Sequence, residues 1–172
     1  MFERLRRLFR MGRDAPGAQD AASTPDPFGT PYAPDLPARM TEAHAALRAA
    51  LELAQDGERR GEPGRVLVHL GALDRLLRDY LADPQAAFHG YMSDRLAGDP
   101  ARIQILRSAR ARLRLLSHEV HDVVAPRRDA PGRPPTPQLG RTLQEWAATL
   151  RDGLVSIESE LMPHYLHHGT GG

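Results

Sequence analysis

Residues 99–125, DPARIQILRSARARLRLLSHEVHDVVA, carry the pattern of a long central helix. Asp99 can accept hydrogen bonds from the free N–H groups of a first helical turn, and Pro100 suits the first helical position. Apolar residues then recur every three or four positions, the spacing of one buried helical stripe: Ile103, Leu106, Ala109, Leu113, Leu116, Val120 and Val123. The sequence therefore predicts a central amphipathic helix over 99–125, and we expect Pro126 to end it.

The opposite side of this predicted helix is basic. It carries Arg102, Arg107, Arg110, Arg112 and Arg114, followed by His121 and Asp122. Acidic residues on neighbouring predicted helices can pair with these arginines: Asp74, Asp79, Glu145, Asp152 and Glu158. No aromatic residues are interleaved among the arginines, so a stacking platform for bases is missing. We therefore expect intramolecular and solvent-facing ion pairs on this face, and no nucleic-acid partner.

The composition limits the class of protein. A chain of 172 residues is long enough for one domain with a real core plus an appendage. Its 23 cationic residues, all arginine, nearly balance 22 anionic ones, and a net charge of +1 gives no bulk attraction to nucleic acid. The absence of cysteine excludes disulfides, thiolate metal sites and cysteine nucleophiles. The chain has no lysine or asparagine and only three isoleucines, which indicates a GC-rich, bacterial genome.

The first 13 residues, MFERLRRLFRMGR, form a short basic amphipathic segment. One helical side would carry Phe2, Leu5, Leu8 and Phe9, surrounded by Arg4, Arg6, Arg7 and Arg10. The segment has no secretory signal pattern, and no apolar run in the chain approaches the roughly 20 residues needed to cross a bilayer. We expect a cytoplasmic protein that this segment can hold at the inner face of the membrane or on a partner. The alternative is a frayed terminus.

Proline, alanine and glycine dominate residues 14–37, which predicts a disordered linker. Beyond it, apolar stripes predict helices over 38–56 and 65–82, a break at Asp83-Pro84, and a last helix from Thr136-Pro137 to Pro163. No stretch alternates with period two. The predicted fold is therefore all-α: an antiparallel up-down four-helix bundle over 38–168 with a kinked or split second helix.

Two histidines lie within the apolar stripes, His44 and His89. The segment EAHAALRAAL, residues 42–51, resembles the opening helix of the hemerythrin-like (HHE cation-binding) family. FHGYMSDRL, residues 88–96, resembles the second motif of that family, and GLVSIESELMP, residues 153–163, resembles its last motif. The resemblance covers about residues 40–165 and is carried by spacing and helical pattern more than by identities.

The resemblance implies a pair of iron atoms held by histidines and carboxylates of four helices. The histidine positions of that pattern fall on His44, His89, Ala109 or Arg110, and Gly153, and its carboxylate positions on Ser93 and Ile157. Asp94 and Glu158 lie beside the two carboxylate positions. The candidate metal ligands are thus His44, His89, Asp94 and Glu158. Because most ligands of the family are replaced, we expect a scaffold that has lost its metal, with an altered iron or oxygen site as the alternative.

Other histidines form weaker patterns. His118 and His121 lie one turn apart without the HExxH spacing of zinc proteases, and we expect them on an exposed face. His164, His167 and His168 follow Pro163, where we expect a solvated tail. The segment RVLVHLGALDRLL also resembles the second helix of DinB-like proteins, but the late histidine pair of that family is missing.

No catalytic constellation stands out from these patterns. The serines lack a glycine-framed elbow, and no phosphate-cradling loop is present. The sequence thus favours a non-enzymatic module that binds an unidentified protein partner and has peripheral membrane contact. The alternative is a metal- or oxygen-binding protein with an altered site.

Overall fold

The structure is a computed structural model that describes residues 30–129 and 138–169, and these residues form helices and no strand. The segments are α1 Leu36–Arg59, α2 Pro63–Ala82, α3 Pro84–Arg95, α4 Pro100–Asp129, α5 Leu139–Val155 and α6 Met162–Gly169. A π-helical turn, Ser156–Leu161, joins α5 to α6.

The segments make four helical runs, of which the second is α2 with α3, bent at residue 83. Helix α1 contacts α2 and α5, and α4 contacts the same two helices from the other side. The apolar stripes of all four runs therefore meet in one enclosed core. This confirms the predicted all-α, four-helix architecture with a broken second helix.

A three-residue turn connects α1 to α2. Gly61 has a φ of 68°, a left-handed conformation that favours glycine. Its N–H donates to the carbonyl of Glu58, and the N–H of Glu62 donates to the carbonyl of Gly57. These two bonds form a glycine-terminated helix end, so Gly61 closes α1, which ends at Arg59, three residues beyond the predicted end at residue 56.

The break at Asp83-Pro84 is a bend rather than a loop. Asp83 has φ −122° and ψ −80°, yet its N–H still donates to the carbonyl of Asp79, and its own carbonyl accepts from the N–H of Ala87. Pro84 occupies the first position of α3, where a missing N–H costs little.

Helix α4 begins as expected but ends later. The Asp99 carboxylate accepts a hydrogen bond from the N–H of Arg102, with Oδ1 to N at 3.0 Å, which confirms the predicted cap. The expectation that Pro126 ends the helix is wrong, because α4 continues to Asp129 with Pro126 inside it. Pro126 is exposed and lies in the last turn, where few further hydrogen bonds remain to be lost.

The last helical run also continues past its predicted end. Pro163 is the second residue of α6, and a helix tolerates proline in its first turn. The π-helical turn precedes it, with the N–H of Met162 donating to the carbonyl of Ile157. Residues after Pro163 are therefore helical, and Tyr165 is completely buried. The expectation of a solvated tail after Pro163 is therefore wrong at Tyr165.

The chain enters the bundle earlier than the predicted boundary at residue 38. The backbone N–H of Ala33 donates to the hydroxyl of Tyr165 at 3.0 Å, and this hydroxyl donates to the Ala33 carbonyl at 2.8 Å. The Tyr32 ring stacks on the Tyr165 ring with centroids 5.0 Å apart. Residues 30–37, predicted as linker, are thus part of the packed structure, whereas residues 1–29 lie outside the described part of the chain.

Candidate functional site

The inward-facing histidine of the first motif anchors the main polar cluster of the core. His44 lies on α1 and is fully buried. Its Nδ1 is 2.7 Å from Oε1 of Glu158, and its Nε2 is 2.8 Å from the hydroxyl of Tyr80 on α2. The burial of His44 agrees with its place in an apolar stripe of the sequence.

The protonation of this cluster follows from its surroundings. Burial holds the pKa of His44 below 6.5, although Glu158 opposes this shift, so the ring is neutral at pH 7. Burial also raises the pKa of Tyr80, which keeps its hydroxyl protonated and available as a donor. The Tyr80 hydroxyl therefore donates to Nε2, and Nδ1–H donates to the Glu158 carboxylate.

Glu158 joins α1 to the last helical run. It lies in the π-helical turn, a kind of turn that is often found at functional sites. Its second oxygen, Oε2, accepts a hydrogen bond from Nη2 of Arg48 at 2.7 Å. Burial alone would raise the pKa of Glu158, but the bonds from Arg48 and His44 lower it overall, and the carboxylate stays charged.

His89 and Asp94, the other candidate metal ligands, face different partners. His89 is half-buried on α3, and its Nδ1 is 3.3 Å from Oγ of Ser93. The exposed Asp94 accepts a hydrogen bond from the backbone N–H of Thr30, with N to Oδ2 at 3.3 Å. Asp94 thus holds the chain entry against α3.

The structure brings His44 together with Glu158, but it does not bring His89 or Asp94 to them. Across residues 30–129 and 138–169, no three histidine, aspartate or glutamate side chains converge as a metal site. Both ring nitrogens of His44 are engaged by protein side chains. The residues present therefore do not fit the di-iron centre that the hemerythrin-like resemblance implies.

The expected pairing of acids with the arginines of α4 differs from what is observed. Asp74 is fully buried and pairs with Arg78 of its own helix at 2.8 Å and with Nδ1 of His121 at 3.3 Å. Glu158 pairs with Arg48 rather than with α4. His121 is therefore half-buried in an inter-helix contact, whereas His118 is exposed as expected.

A second contact that the sequence did not indicate joins α4 to α5. The indole Nε1–H of Trp146 donates to Oε2 of Glu119 at 2.8 Å. Trp146 is buried, so this bond satisfies the polar edge of a large core side chain.

Gly153 lies further along α5, where an added Cβ would meet the Leu113 side chain at 3.2 Å. The glycine at the family's histidine position thus serves close helix packing.

The low pKa of His44 predicts acid sensitivity. In the unfolded chain the histidine titrates near 6.5, but in the folded protein it resists protonation until lower pH. The stability that His44 contributes is therefore present above pH 6.5 and is lost as pH falls toward the folded-state pKa. Between about pH 7.5 and about pH 5.5, the free energy of unfolding should fall by up to about 1.4 kcal/mol more in the wild type than in His44→Leu. Denaturant titrations at both pH values measure this difference, and equal pH dependence in the two proteins would contradict it.

Comparisons of this chain with models of known families, with curated proteins and with solved structures find no match. The resemblance in residues 42–51, 88–96 and 153–163 therefore stays an expectation from the sequence. What the described residues establish is an all-helical, four-helix architecture with a buried His44–Glu158–Tyr80 cluster.

Proposed function

We propose that this chain is a non-catalytic, hemerythrin-like helical bundle that acts as a protein-interaction or adaptor module, held at an anionic membrane surface by residues 1–13. That segment lies outside the described residues, so its role rests on its sequence. In the part of the chain that the structure describes, no helix is both long and apolar enough to cross a membrane. The proposal accordingly assigns surface attachment to the basic segment.

One observation carries the proposal for the bundle. The histidine at the first metal-ligand position, His44, uses both ring nitrogens to bond Glu158 and Tyr80. A histidine bonded in this way connects three helical runs and stabilises the fold. Such use of a former ligand position supports a scaffold whose surface, rather than its interior, carries the function.

The polar surface near the π-helical turn also supports a non-catalytic role. A shallow depression there is lined by Asp99, Arg102, Ser159 and His164, among others. Asp99 caps α4 and pairs with Arg102. The Ser159 hydroxyl donates to the carbonyl of Val155 at 2.6 Å, so its proton is not directed at His164 as it would be in a nucleophile–base pair.

The proposal includes helices that alternate in direction around the bundle. Near the start of α1, Arg39 pairs with Asp83 at the end of α2. Near the end of α1, Gln55 donates to the carbonyl of Leu143 at the beginning of α5. Contacts between opposite ends of adjacent helices support the up-down order, as does the short connection from α1 to α2.

Binding to vesicles tests the membrane part of the proposal. Full-length protein should sediment with anionic vesicles at low salt, because each arginine near the surface contributes about 1 kcal/mol and the apolar side chains add burial. Replacing Phe2, Leu5 and Phe9 by serine should abolish sedimentation and leave the helical circular dichroism spectrum unchanged. High salt should weaken binding, because the Debye length falls to about 3 Å at 1 M.

A matched control separates the apolar side of this segment from apolar side chains exposed elsewhere. Leu53→Ser, Val68→Ser and Val155→Ser together remove the same number of apolar side chains from exposed positions of the bundle. This triple variant should sediment like the wild type. If the wild type itself stays in the supernatant with anionic vesicles at low salt, the membrane attachment is wrong.

The adaptor role is tested by co-purification from the cells that make the protein, with and without residues 1–11. A protein partner that is retained by the shortened chain supports a docking surface on the bundle, whereas the absence of any partner in both preparations contradicts the adaptor proposal. Metal analysis of untagged protein separates this proposal from the iron-binding alternative, since only the alternative requires bound iron.

A further inference from the structure

A basic cluster lies between α3 and α4, away from the His44 cluster. It consists of His89 on α3 with Arg107, Arg110 and Arg114 on α4, and we call it the arginine–histidine cluster. The three arginines are spaced by three and four residues, so they share one face of α4. All three act on His89 electrostatically: after burial, their charges are the causes that hold the pKa of His89 below 6.5.

No acid neutralises these arginines in the part of the chain that the structure describes. Arg107, Arg110 and Arg114 form no ion pair or hydrogen bond with residues 30–129 or 138–169. Elsewhere in the bundle, Arg48 pairs with Glu158 and Arg78 with Asp74. Three like charges within two helical turns repel one another, so the protein retains this arrangement at some cost in stability.

Two buried side-chain polar atoms on these two helices lack partners, one on α3 and one on α4. Nε of Arg110 is buried without a hydrogen bond, and so is Oε1 of Gln85. Gln85 lies one turn before His89 on α3, and only 1% of its surface is exposed. Buried polar groups in folded proteins are usually bonded, and an unsatisfied one is costly. Here one unsatisfied atom is a donor and the other is an acceptor.

We propose that the arginine–histidine cluster binds a phosphate group, as inorganic phosphate or a phosphate monoester. Guanidinium groups bind phosphate oxygens through paired, charge-assisted hydrogen bonds, and a phosphate carries close to two negative charges at pH 7. A carboxylate offers one charge and only acceptors. Inorganic phosphate keeps one proton even as the dianion, so it offers acceptors for Arg110 and also an O–H donor for Gln85. A phosphate monoester offers that O–H only as its monoanion.

His89 completes the donor set. When the Ser93 hydroxyl donates to Nδ1, at 3.3 Å, the ring proton of neutral His89 resides on Nε2. Nε2–H is then a further donor for a phosphate oxygen. This site uses α3 and α4 rather than residues 1–13, so it stands independently of the proposed membrane segment.

Titration of full-length protein with inorganic phosphate at constant ionic strength tests the proposal. Phosphate should shift the ring resonances of His89 in NMR spectra and bind with measurable heat, whereas chloride should do neither. Arg107→Gln and Arg114→Gln remove exposed side chains, so both variants should fold. Each should weaken phosphate binding about tenfold, the loss expected for one charge-assisted contact.

Arg112→Gln is the matched control, because it removes the same charge from an exposed position on another face of α4. It should change phosphate affinity less than about twofold, as expected for a screened charge. The proposal is overturned if phosphate leaves the His89 resonances of the wild type unmoved. It is also overturned if Arg112→Gln loses as much affinity as Arg107→Gln.

Vesicles that carry a phosphate-monoester headgroup identify the source of the phosphate. The full-length Phe2→Ser, Leu5→Ser, Phe9→Ser variant is used, so that the N-terminal segment does not contribute. Capture that depends on Arg107 assigns the cluster to a lipid headgroup. Phosphate binding in solution without such capture assigns it to a soluble phosphate compound. Failure of both overturns the site and leaves the result for residues 1–13 unaffected.

Discussion

Replacing Tyr165 by alanine is expected to lower the free energy of unfolding by about 3–5 kcal/mol, the usual cost of deleting a buried aromatic ring. Tyr165 is completely buried, and its ring centroid lies 4.8 Å from that of Tyr91 and 5.5 Å from that of Phe88. The loss is a large part of the about 5–15 kcal/mol that stabilises a typical domain. Denaturant unfolding followed by circular dichroism measures it.

Two further variants separate the contributions of Tyr165. Tyr165→Phe keeps the ring but removes the hydroxyl that bonds the N–H and carbonyl of Ala33, and it should cost about 1–2 kcal/mol. Leu166→Ala, at a neighbouring position that is 47% exposed, should cost less than about 1 kcal/mol. If Tyr165→Ala is no more destabilising than Leu166→Ala, the last helix does not pack as described.

The second large effect is expected at the His44–Tyr80 contact. His44→Leu keeps most of the side-chain volume but leaves the buried Tyr80 hydroxyl without its acceptor, and it should cost about 1–3 kcal/mol. Tyr80→Phe leaves Nε2 of His44 without a donor and should cost about 1–2 kcal/mol. Thermal and denaturant unfolding near neutral pH measure both.

The double variant provides the decisive comparison. Replacing both partners by apolar side chains removes the contact without leaving a polar group unsatisfied, so His44→Leu with Tyr80→Phe should cost clearly less than the sum of the two single changes. Additive losses would mean that the two side chains do not interact. Arg65→Gln, on the exposed part of α2, is a control that should leave stability within about 0.5 kcal/mol.

The sequence predicted the helical architecture where the signals are local. Asp99 as a cap and the break at Asp83-Pro84 depend on one or two residues, and the structure contains both. Pro126 and Pro163 were misjudged as helix ends because position decides the cost of a proline. Pro163 lies in the first turn of α6, where a missing N–H costs little, and Pro126 lies in the last turn of α4, where little helix remains beyond it.

The sequence pattern does not predict the π-helical turn. Leu154, Ile157 and Leu161 keep the spacing of an ordinary helical stripe, and all three are buried. Glu158 lies in this turn, and its partners His44 and Arg48 lie on α1. A pattern of apolar positions cannot register such a change in backbone hydrogen bonding.

The candidate site was predicted only in part. The helical stripe placed His44 in the core, and the resemblance drew attention to Glu158, but Tyr80 looked like an ordinary core residue. The sequence analysis paired the arginines of α4 with acids of neighbouring helices. In the structure, Glu158 pairs with Arg48 and Asp74 with Arg78 instead. Charge pairing depends on the geometry of side chains on different helices, and the spacing of residues along the sequence does not specify this geometry.

The contact between Ala33 and Tyr165 also has a mechanical consequence. The chain enters the bundle at residue 30 and is bonded to the last helix at Ala33, before α1 begins. A pulling force applied through residues that precede Thr30 would load the Ala33–Tyr165 hydrogen bonds and the Asp94 contact of Thr30 first. These bonds would therefore bear the force before the helices of the bundle do. Tension on the residues that precede Thr30 would have to break these bonds before it could unwind α1 and disturb the His44 cluster.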